Sequence, residues 1–431
     1  MGLAVDAAPG SVGILRMSQP GFRVLLITNY APDGQQSMLR FGEMLENELR
    51  VHGVPVEVLA PPVVCARRVK STFRGVGKWL AYWDKYVLFP RELRRRVQAL
   101  LHAETSDPPT PLVVHVCDHS NAVYVPAAKA ASRLAASAGA AAVVVTCHDL
   151  GAVRGAFGEA AQTFCPASRT GRILQSWIRR SIGHADLVAC VSAATESDVR
   201  RLVRAPGSGR KSPPPTRVIR TGQNYPFRAL PAAEADARLA IYRARGFDST
   251  QPFLLNVGSS LPRKNRDGVL RIFVRMLTQG WRGQLVFAGE GLPPELAELA
   301  RAVTASGVGR VVQLFNPSGD ALQALYSRAL ALVFPSRFEG FGWPLIEAQA
   351  CGCPVVCGNT PALAEIAGDS AFVAPPEDAD AFASHLLKLA NDPAEAADWV
   401  ERGRHNLARF QTERMTEDYL QAYRDALADR R

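Results

Sequence analysis

Short apolar runs alternate with amphipathic segments along most of this chain. Two compact apolar runs, RVLLIT at 23–28 and VPVEVLA at 54–60, enclose an amphipathic segment that ends near Val51, before Gly53. Apolar runs of this length predict buried strands of a parallel sheet, and the segment between them predicts a crossover helix. Further runs of the same series lie at 111–117, 141–147, 185–192 and 217–222.

A second series of apolar runs begins at Pro252, after an Ala- and Arg-rich segment between Phe227 and Gly246 that is predicted to be helical. The runs of this series lie at 252–260, 284–291, 311–319, 331–334, 355–356 and 371–376. A chain of 431 residues exceeds what one compact domain usually holds, so two domains are expected, each with its own core.

The sequence therefore predicts an α/β protein of two domains with alternating strands and helices, at 23–230 and 231–408. Residues 1–22 contain Gly, Pro and Ser but no apolar core behind a basic start, which predicts a disordered leader rather than a signal peptide. The tail from Ala394 to Arg431 is predicted to be helical throughout.

The stretch from Ala331 to Gly358, ALVFPSRFEGFGWPLIEAQACGCPVVCG, is the most informative part of the chain. It predicts a buried strand, a glycine loop, a short helix and another strand. Gly340 and Gly342 let the loop backbone approach a ligand closely, and Pro344 suits the first turn of the helix. Free backbone N–H groups and the positive end of the helix dipole would then point at the loop, which suits a phosphate.

Two carboxylates, Glu339 and Glu347, bracket this predicted site eight positions apart. By itself, Glu347 could be an acid that stabilises the start of a helix in the first helical turn. Glu339 could be a solvated loop acid. The spacing leaves these interpretations open beside a role in ligand binding.

Polar residues also follow two strands of the first series. Asp118 and His119 come after the run that ends at Cys117, and His148 follows the run that ends at Cys147. Ligands of open α/β sheets bind beyond the carboxyl ends of strands, so these side chains are candidates for the first domain's share of a site. For His148 the alternative is a hydrogen-bonded turn histidine.

The composition, with 47% hydrophobic and 21% charged residues, is that of an ordinary globular protein. No apolar run reaches about 18 residues, so no transmembrane helix is expected. The eight cysteines lie in apolar surroundings and are expected to be reduced, which indicates the cytoplasm. Cys351, Cys353 and Cys357 do not have the spacing of a metal site, so no metal is expected.

The net charge of +10 indicates anionic partners, and no motif indicates nucleic acid. The segment 67–96 combines aromatic residues at helical spacing (Trp79, Tyr82, Trp83, Tyr86) with many bases. The bases are Arg67, Arg68, Lys70, Arg74, Lys78, Lys85, Arg91, Arg94, Arg95 and Arg96. Such a segment is typical of a helix on an anionic membrane surface. A solvated arginine face over packed aromatic residues is the alternative.

The run FPSRFEGFGWPLIEAQACGCPVV resembles the E-x7-E signature of retaining glycosyltransferases with the GT-B architecture, those of family 4 (group 1). The resemblance covers roughly residues 23 to 425 and is stronger in the C-terminal half. It implies two facing Rossmann-like domains with the active site between them. It also implies that a C-terminal helix, at 409–431, crosses back to the first domain.

The resemblance implies a donor site in the second domain. Glu339 would orient the donor sugar as a catalytic residue, Glu347 would accept the ribose hydroxyls, and the nucleobase would lie near Leu314 and Phe315. The segment from Gly258 resembles the family's diphosphate motif, with Ser259 at the place of its first arginine. The residues implied for donor binding are Gly258, Ser259, Arg263, Lys264, Leu314, Phe315, Gly340, Phe341, Gly342 and Glu347.

In the first domain, the resemblance places His148 beside the donor sugar as a second catalytic residue. Asp118 and His119 would lie on the acceptor side. The loop from Asn29 has one glycine, Gly34, followed by Gln35, where the family usually has a glycine pair.

The function implied is retaining transfer of a hexose-type sugar from a UDP- or GDP-linked donor to a glycan or lipid-linked acceptor, with no cofactor. The protein would be cytoplasmic, with peripheral contact to the inner face of the membrane. Two alternatives stay open: a nucleotide-sugar-binding protein without catalysis, and a nucleotide-sugar epimerase. A dehydrogenase is disfavoured because no G-x-G-x-x-G follows the first strand.

Overall fold

The structure of the chain is a computed structural model. It describes residues 21–69, 71–72, 75–103, 109–135, 139–158, 165–203 and 212–428. Residues 1–20 of the predicted leader, and Lys70 and Arg74 of the basic segment, lie outside the described residues. Within the described ranges, each helix is too short or too polar to span a membrane.

The first domain is built on a six-stranded parallel sheet with the strand order β2-β1-β3-β4-β5-β6. The four inner strands are buried on both faces, which explains their almost continuous apolar sequence, whereas the edge strands β2 and β6 are only partly buried. They are β1 (Arg23–Ile27), β2 (Val56–Leu59), β3 (Leu112–Val116), β4 (Ala141–Cys147), β5 (Leu187–Cys190) and β6 (Thr216–Val218). The order reverses at β1 and β3, which places the ends of these strands at a topological switch point.

The second domain repeats this plan with the strand order β12-β11-β10-β7-β8-β9, again all parallel. Its strands are β7 (Phe253–Gly258), β8 (Gln284–Gly289), β9 (Arg310–Phe315), β10 (Ala331–Phe334), β11 (Val355–Gly358) and β12 (Phe372–Ala374). Two parallel sheets, each covered by helices, confirm the predicted α/β class with two Rossmann-like domains.

Helices cover both sheets. Those of the first domain are α1 (Gln36–Val51), α2 (Gly75–Trp83), α3 (Phe89–His102), α4 (Val125–Leu134), α5 (Gly151–Ala156), α6 (Arg169–Ile182) and α7 (Ala193–Val203). The later helices are α8 (Ala232–Leu239), α9 (Arg266–Thr278), α10 (Pro294–Ala305), α11 (Gly319–Arg328), α12 (Trp343–Ala350), α13 (Pro361–Ala367), α14 (Ala379–Asn391), α15 (Pro393–Asn406) and α16 (Thr412–Ala428).

The sequence predicted a C-terminal tail that is helical throughout, and this prediction is wrong. A 3-10 turn at Leu407–Phe410 follows α15, and Gln411 is extended before α16 begins. The break lets α16 return to the first sheet. There the Tyr423 hydroxyl lies 2.7 Å from Nδ1 of His115, and the Tyr419 hydroxyl lies 2.9 Å from that of Thr146. The crossing C-terminal helix is therefore confirmed.

The basic, aromatic segment 67–96 also differs from the prediction, because it does not form one regular helix. One turn of π-helix at Asp84–Leu88 separates α2 from α3, and Lys85 in this turn is buried in an ion pair with Asp33. Arg96 pairs with Glu57. The basic residues that the structure describes in this segment therefore do not form one solvent-facing row, whereas Trp79 and Trp83 are exposed.

Candidate active site

The glycine loop lies where the two domains meet, just before α12. A methyl group on Gly340 would lie 1.7 Å from the carbonyl oxygen of His148, so only glycine lets the two backbones approach. Gly342 has φ of 118° at the N-cap of α12, a conformation that glycine adopts readily. The carbonyl of Gly340 accepts a hydrogen bond from the Ser192 hydroxyl at 2.7 Å. These contacts bury the loop between the domains.

Two backbone N–H groups at the start of α12 have no protein acceptor among the described residues. They belong to Phe341 and Gly342. Helix α12 begins at Trp343 with Pro344 in its first turn, as the sequence predicted. Free amides and the positive end of the helix dipole make this end of α12 able to bind an anion.

Glu339 is held between two cations of the second domain. Its carboxylate lies 2.8 Å from Nη1 of Arg263 and 2.7 Å from Nζ of Lys264. Burial would raise the pKa of Glu339, but the positive charges of Lys264 and Arg263 outweigh burial and lower the pKa to about 2. The three side chains form a partly buried cluster with a net positive charge, since the two cations exceed the one carboxylate.

The two cations are positioned by a rigid turn after β7. A 3-10 turn at Pro262–Lys264 leads into Asn265, which has φ of 54° and caps α9 with its side chain. The Asn265 amide donates to the carbonyls of Pro335 and Pro376, which ties this turn to the strand before Glu339. Burial lowers the pKa of Lys264, and Glu339 opposes that shift.

Glu347 has a different environment, although it belongs to the same motif. It is the fifth residue of α12, just past the first turn in which the sequence predicted it, so its position is not that of a first-turn acid. It is buried and accepts a hydrogen bond from the Tyr326 hydroxyl at 2.9 Å. Burial raises its pKa to about 7, although the hydrogen bond from Tyr326 and the charge of Arg40 oppose the shift.

The remaining predicted donor residues lie at the carboxyl ends of β7 and β9. Gly258 has φ of 138°, and a methyl group there would lie 3.5 to 3.8 Å from the Lys264 side chain. Ser259 follows it and brings no charge. Leu314 is fully buried in the core, so only its backbone is available to a ligand. Phe315 is exposed at the end of β9.

In the first domain, Asp118 organises a polar network at the end of β3. It accepts a hydrogen bond from the Asn29 amide at 2.7 Å and lies 3.0 Å from Nδ1 of His119. Burial would raise the pKa of Asp118, but the positive charge of His119 lowers it. Asn29 also donates to Gln35, so the network links Asp118 and His119 to the loop that contains Gly34.

His148 joins the two domains. Its Nε2 lies 2.9 Å from the carbonyl oxygen of Cys117, which fixes the hydrogen on Nε2 and leaves Nδ1 as an acceptor. Burial lowers the pKa of His148, although Asp118 opposes the shift, so the ring is favoured in its neutral form. The ring packs edge-on against Phe41 at 4.7 Å, and Trp343 of α12 lies 6.3 Å away.

The structure therefore brings together most of the predicted residues, in two groups. His148, Glu339, Arg263, Lys264 and the loop 340–342 meet at the domain boundary. Gly34, Gln35, Asp118 and His119 lie together on the side of the first domain.

Sequence reasoning missed Arg266, which braces the loop around Ser259. Its buried guanidinium donates to the carbonyls of Gly258 and Glu290, both at 2.6 Å, and to the Ser260 hydroxyl at 2.9 Å. Burial lowers its pKa to about 10. The available signal was its place in the first turn of α9, where a cation is unfavourable unless it has another role.

Two family models match adjacent parts of the chain. The model described as Glycosyltransferase Family 4 matches residues 41–211, and the model described as Glycosyl transferases group 1 matches residues 238–406. The chain belongs to glycosyltransferase family 4, group 1. The second region contains all strands of the second sheet, and the first region contains the first sheet apart from β1 and β6. Together they include both groups of predicted residues, apart from the loop that contains Gly34.

Several proteins of related sequence have assigned roles. An O-antigen chain mannosyltransferase B of Escherichia coli is 29% identical over 256 residues, which are 59% of this chain and 64% of that protein. A D-inositol 3-phosphate glycosyltransferase of Acidothermus cellulolyticus is 32% identical over 267 residues, 59% of this chain and 57% of that protein. Both alignments thus span less than two thirds of the relative's length.

Solved structures agree with this family membership at the level of the fold. Sucrose-phosphate synthase from Thermosynechococcus elongatus aligns with a TM-score of 0.64 and 22% identity, covering 95% of this chain and all of that one. The catalytic domain of starch synthase IV from Arabidopsis thaliana, bound to ADP and acarbose, aligns with a TM-score of 0.65 and 14% identity, covering 94% of this chain and 99% of that one. The GT-B arrangement predicted from the sequence is confirmed.

Proposed function

We propose that this family 4 protein is a retaining glycosyltransferase that moves a hexose-type sugar from a UDP- or GDP-linked donor to a glycan or lipid-linked acceptor. The observation that carries the proposal is the partly buried cluster of Glu339, Arg263 and Lys264 beside the free amides of α12, opposite His148. The names of the related proteins, a mannosyltransferase among them, support a hexose.

The cations and free amides would stabilise the leaving group. When the bond between the anomeric carbon and the β-phosphate oxygen breaks, negative charge develops on the nucleoside diphosphate. Lys264, Arg263 and the amides of Phe341 and Gly342 would compensate this charge, so the proposed step needs no cofactor. Since Arg263 and Lys264 now hold Glu339, the diphosphate would compete with that carboxylate for them.

The proposed reaction proceeds on one face of the sugar. The acceptor hydroxyl oxygen forms its bond to the anomeric carbon on the side from which the diphosphate departs, and its proton passes to the leaving phosphate oxygen. The configuration is thereby retained. Glu339 would orient the sugar hydroxyls, and Nδ1 of His148 would accept a hydrogen bond from the sugar on the opposite side.

Glu347 would hold the ribose. A carboxylate accepts two hydroxyl hydrogen bonds at once, and the pKa of about 7 means that those hydroxyls would have to favour the ionised form.

Because the loop before α12 is buried between the domains, donor entry requires the domains to separate. The acceptor would bind on the side of the first domain that is formed by Asp118, His119 and the loop with Gly34 and Gln35. We place the protein in the cytoplasm, with peripheral membrane contact through 67–96.

The decisive experiment measures donor binding and turnover separately. Thermal-shift screening against UDP- and GDP-linked sugars identifies the donor, and incubation with donor alone and with donor plus acceptor then follows the sugar. Transfer that occurs only with acceptor supports the proposal. Conversion of the donor alone into its epimer indicates an epimerase. Binding without turnover indicates the inactive binding protein, which the uncharged Ser259 favours.

Lys264→Ala tests the donor site directly. The variant is expected to weaken donor binding because it removes a partly buried cation beside the proposed diphosphate. Lys388→Ala is the matched control, since Lys388 lies in the same domain, is exposed and pairs with Glu395. Unchanged donor affinity in Lys264→Ala contradicts the assignment of this cluster to the diphosphate.

A further inference from the structure

Two helices of the first domain expose large apolar side chains on one surface. Val76, Trp79 and Trp83 of α2 are 74%, 64% and 54% exposed, and Ile173 and Trp177 of α6 are 72% and 40% exposed. Of the ten exposed large hydrophobic residues described before residue 204, seven lie in 63–83 and 173–177. Such concentration distinguishes a binding surface from the scattered apolar residues of an ordinary exterior.

A row of aromatic rings joins the two helices. Trp79 contacts Tyr82 at 5.8 Å between ring centroids, Tyr82 contacts Tyr86 at 5.2 Å, and Tyr86 contacts Trp177 at 5.5 Å. The exposed side chains of α2 and α6 therefore belong to one continuous patch. We call this patch the docking surface; it consists of Val76, Trp79 and Trp83 with Arg67, Arg68 and Lys78, and of Ile173 and Trp177 with Arg169 and Arg172.

The charge of the docking surface is of one sign. The segments 65–83 and 165–182 contain no Asp or Glu. Arg67, Arg68, Arg169 and Arg172 are exposed, and Lys78 lies over the ring of Tyr82. Two copies of this surface placed face to face would bring like charges together, so a second copy is disfavoured. A partner with dense negative charge and an apolar layer beneath it fits both features.

The docking surface is also connected to the acceptor side of the candidate site. Just after α2, the π-helical turn places Lys85 2.7 Å from the Asp33 carboxylate, and Asp84 accepts a hydrogen bond from the Tyr30 hydroxyl at 2.9 Å. Tyr30 and Asp33 belong to the loop that contains Gly34 and Gln35. π-helical turns occur frequently at functional sites. The element that presents Trp79 and Trp83 is thus tied to this loop.

We propose that the docking surface binds the headgroup region of an anionic lipid bilayer. Trp79, Trp83, Ile173 and Trp177 enter the boundary between headgroups and acyl chains, and the arginines and Lys78 contact the lipid phosphates. This inference rests on the proposed function in one respect: it makes the acceptor of the transfer lipid-linked, delivered along the bilayer to the loop with Gly34. Vesicle binding itself is independent of the transfer.

The test is co-sedimentation of the full chain with vesicles. One set contains phosphatidylcholine alone, and the other contains phosphatidylcholine mixed with phosphatidylglycerol. The protein is expected to bind the anionic vesicles, and less so as salt rises. Arg169→Gln with Arg172→Gln is expected to weaken binding roughly 30-fold, since each basic residue near an anionic surface contributes about a fivefold change. Trp79→Ser with Ile173→Ser is expected to reduce binding at every salt concentration.

Leu299→Ser with Arg301→Gln is the matched control, because both residues are exposed on α10 of the second domain. This control is expected to bind as the unaltered protein does. Equal binding to neutral and anionic vesicles, or unchanged binding by both docking-surface variants, overturns the proposal. So does a dimer in analytical ultracentrifugation that the Trp79 and Ile173 changes dissociate.

Donor binding, measured on the same samples, separates this inference from the proposed function. Variants that lose vesicle binding but keep donor affinity and unfolding temperature support the docking surface. A protein that binds anionic vesicles but no nucleotide sugar leaves the docking surface standing and contradicts the proposed function. A protein that transfers sugar but does not bind vesicles supports the proposed function and contradicts the docking surface.

Discussion

Glu339 is a buried carboxylate that would have different partners before and after the donor binds. In the structure it balances Arg263 and Lys264 at 2.8 and 2.7 Å. Removing one member of a buried ion pair leaves the other uncompensated, which is more costly than never having had the pair. An anion that replaces the Glu339 carboxylate would therefore have a large effect on the stability of the cluster.

We expect Glu339→Gln to lower the free energy of unfolding by roughly 3 kcal/mol, because Arg263 and Lys264 lose their buried counter-charge. A nucleoside diphosphate should then stabilise this variant more than it stabilises the unaltered protein, since the diphosphate replaces the missing charge. Thermal unfolding with and without UDP and GDP measures both effects. Equal stabilisation of the two proteins by the diphosphate would show that it does not reach the cluster.

Glu347 gives a prediction with a definite pH window. Its pKa in the folded protein is raised from 4.5 to about 7 by burial, so the protonated form is favoured by folding. Its contribution to stability is complete below about pH 4.5 and is lost as the pH rises to about 7, amounting to about 3 kcal/mol. Glu347→Gln removes this loss, so the stability of the variant relative to the unaltered protein should rise across that window.

Urea unfolding at a series of pH values checks this difference. If Glu347 also holds the ribose, nucleotide affinity should increase with pH through about 7, and the increase should vanish in Glu347→Gln. A constant difference in stability between the two proteins from pH 4.5 to 8 would mean that Glu347 is not the buried titrating group.

At the scale of elements, the turn between β10 and α12 depends on two glycines for different reasons. Gly342 supplies a positive φ, whereas Gly340 supplies space against the His148 carbonyl. Only the second of these concerns the contact between the domains.

We expect Gly340→Ala to destabilise the protein by about 1–3 kcal/mol, because the added methyl group would lie 1.7 Å from the His148 carbonyl oxygen. The domains should part locally, so amide hydrogen exchange should increase at Ala193 to Thr195, whose neighbour Ser192 donates to Gly340. Gly21→Ala is the control, since a methyl group there meets nothing within 4 Å. Unchanged exchange in Gly340→Ala would mean that the contact tolerates the methyl group.

The same element shows how far sequence reasoning reaches. The strand, the loop and the helix with Pro344 were predicted because apolar run length, glycine and proline act locally. The environment of Glu347 was not, because burial against Tyr326 depends on how α11 packs. The π-helical turn at Asp84 was missed for a similar reason: the tie to Tyr30 joins residues 54 positions apart.

At the scale of the whole molecule, one side chain of the second domain caps a helix of the first. Glu365 of α13 accepts hydrogen bonds from the Ala193 amide at 2.8 Å and from Arg220 at 2.9 Å. A carboxylate at the N-terminus of α7 is favoured by the helix dipole. Arg220 is partly exposed, so solvent screens its ion pair with Glu365 and reduces the contribution of that pair to stability.

Since donor entry is proposed to require domain separation, weakening this contact should shift the molecule towards the separated form. We expect Glu365→Gln to favour separation by about 1 kcal/mol, roughly a fivefold change in population. The radius of gyration from small-angle X-ray scattering should increase, while the unfolding of the second domain should not change. Glu377→Gln is the matched control, because Glu377 pairs with Arg337 inside the second domain. An identical scattering profile for Glu365→Gln and the control would show that Glu365 does not hold the domains together, and donor entry would then depend on the contacts of Gly340 and Trp343 instead.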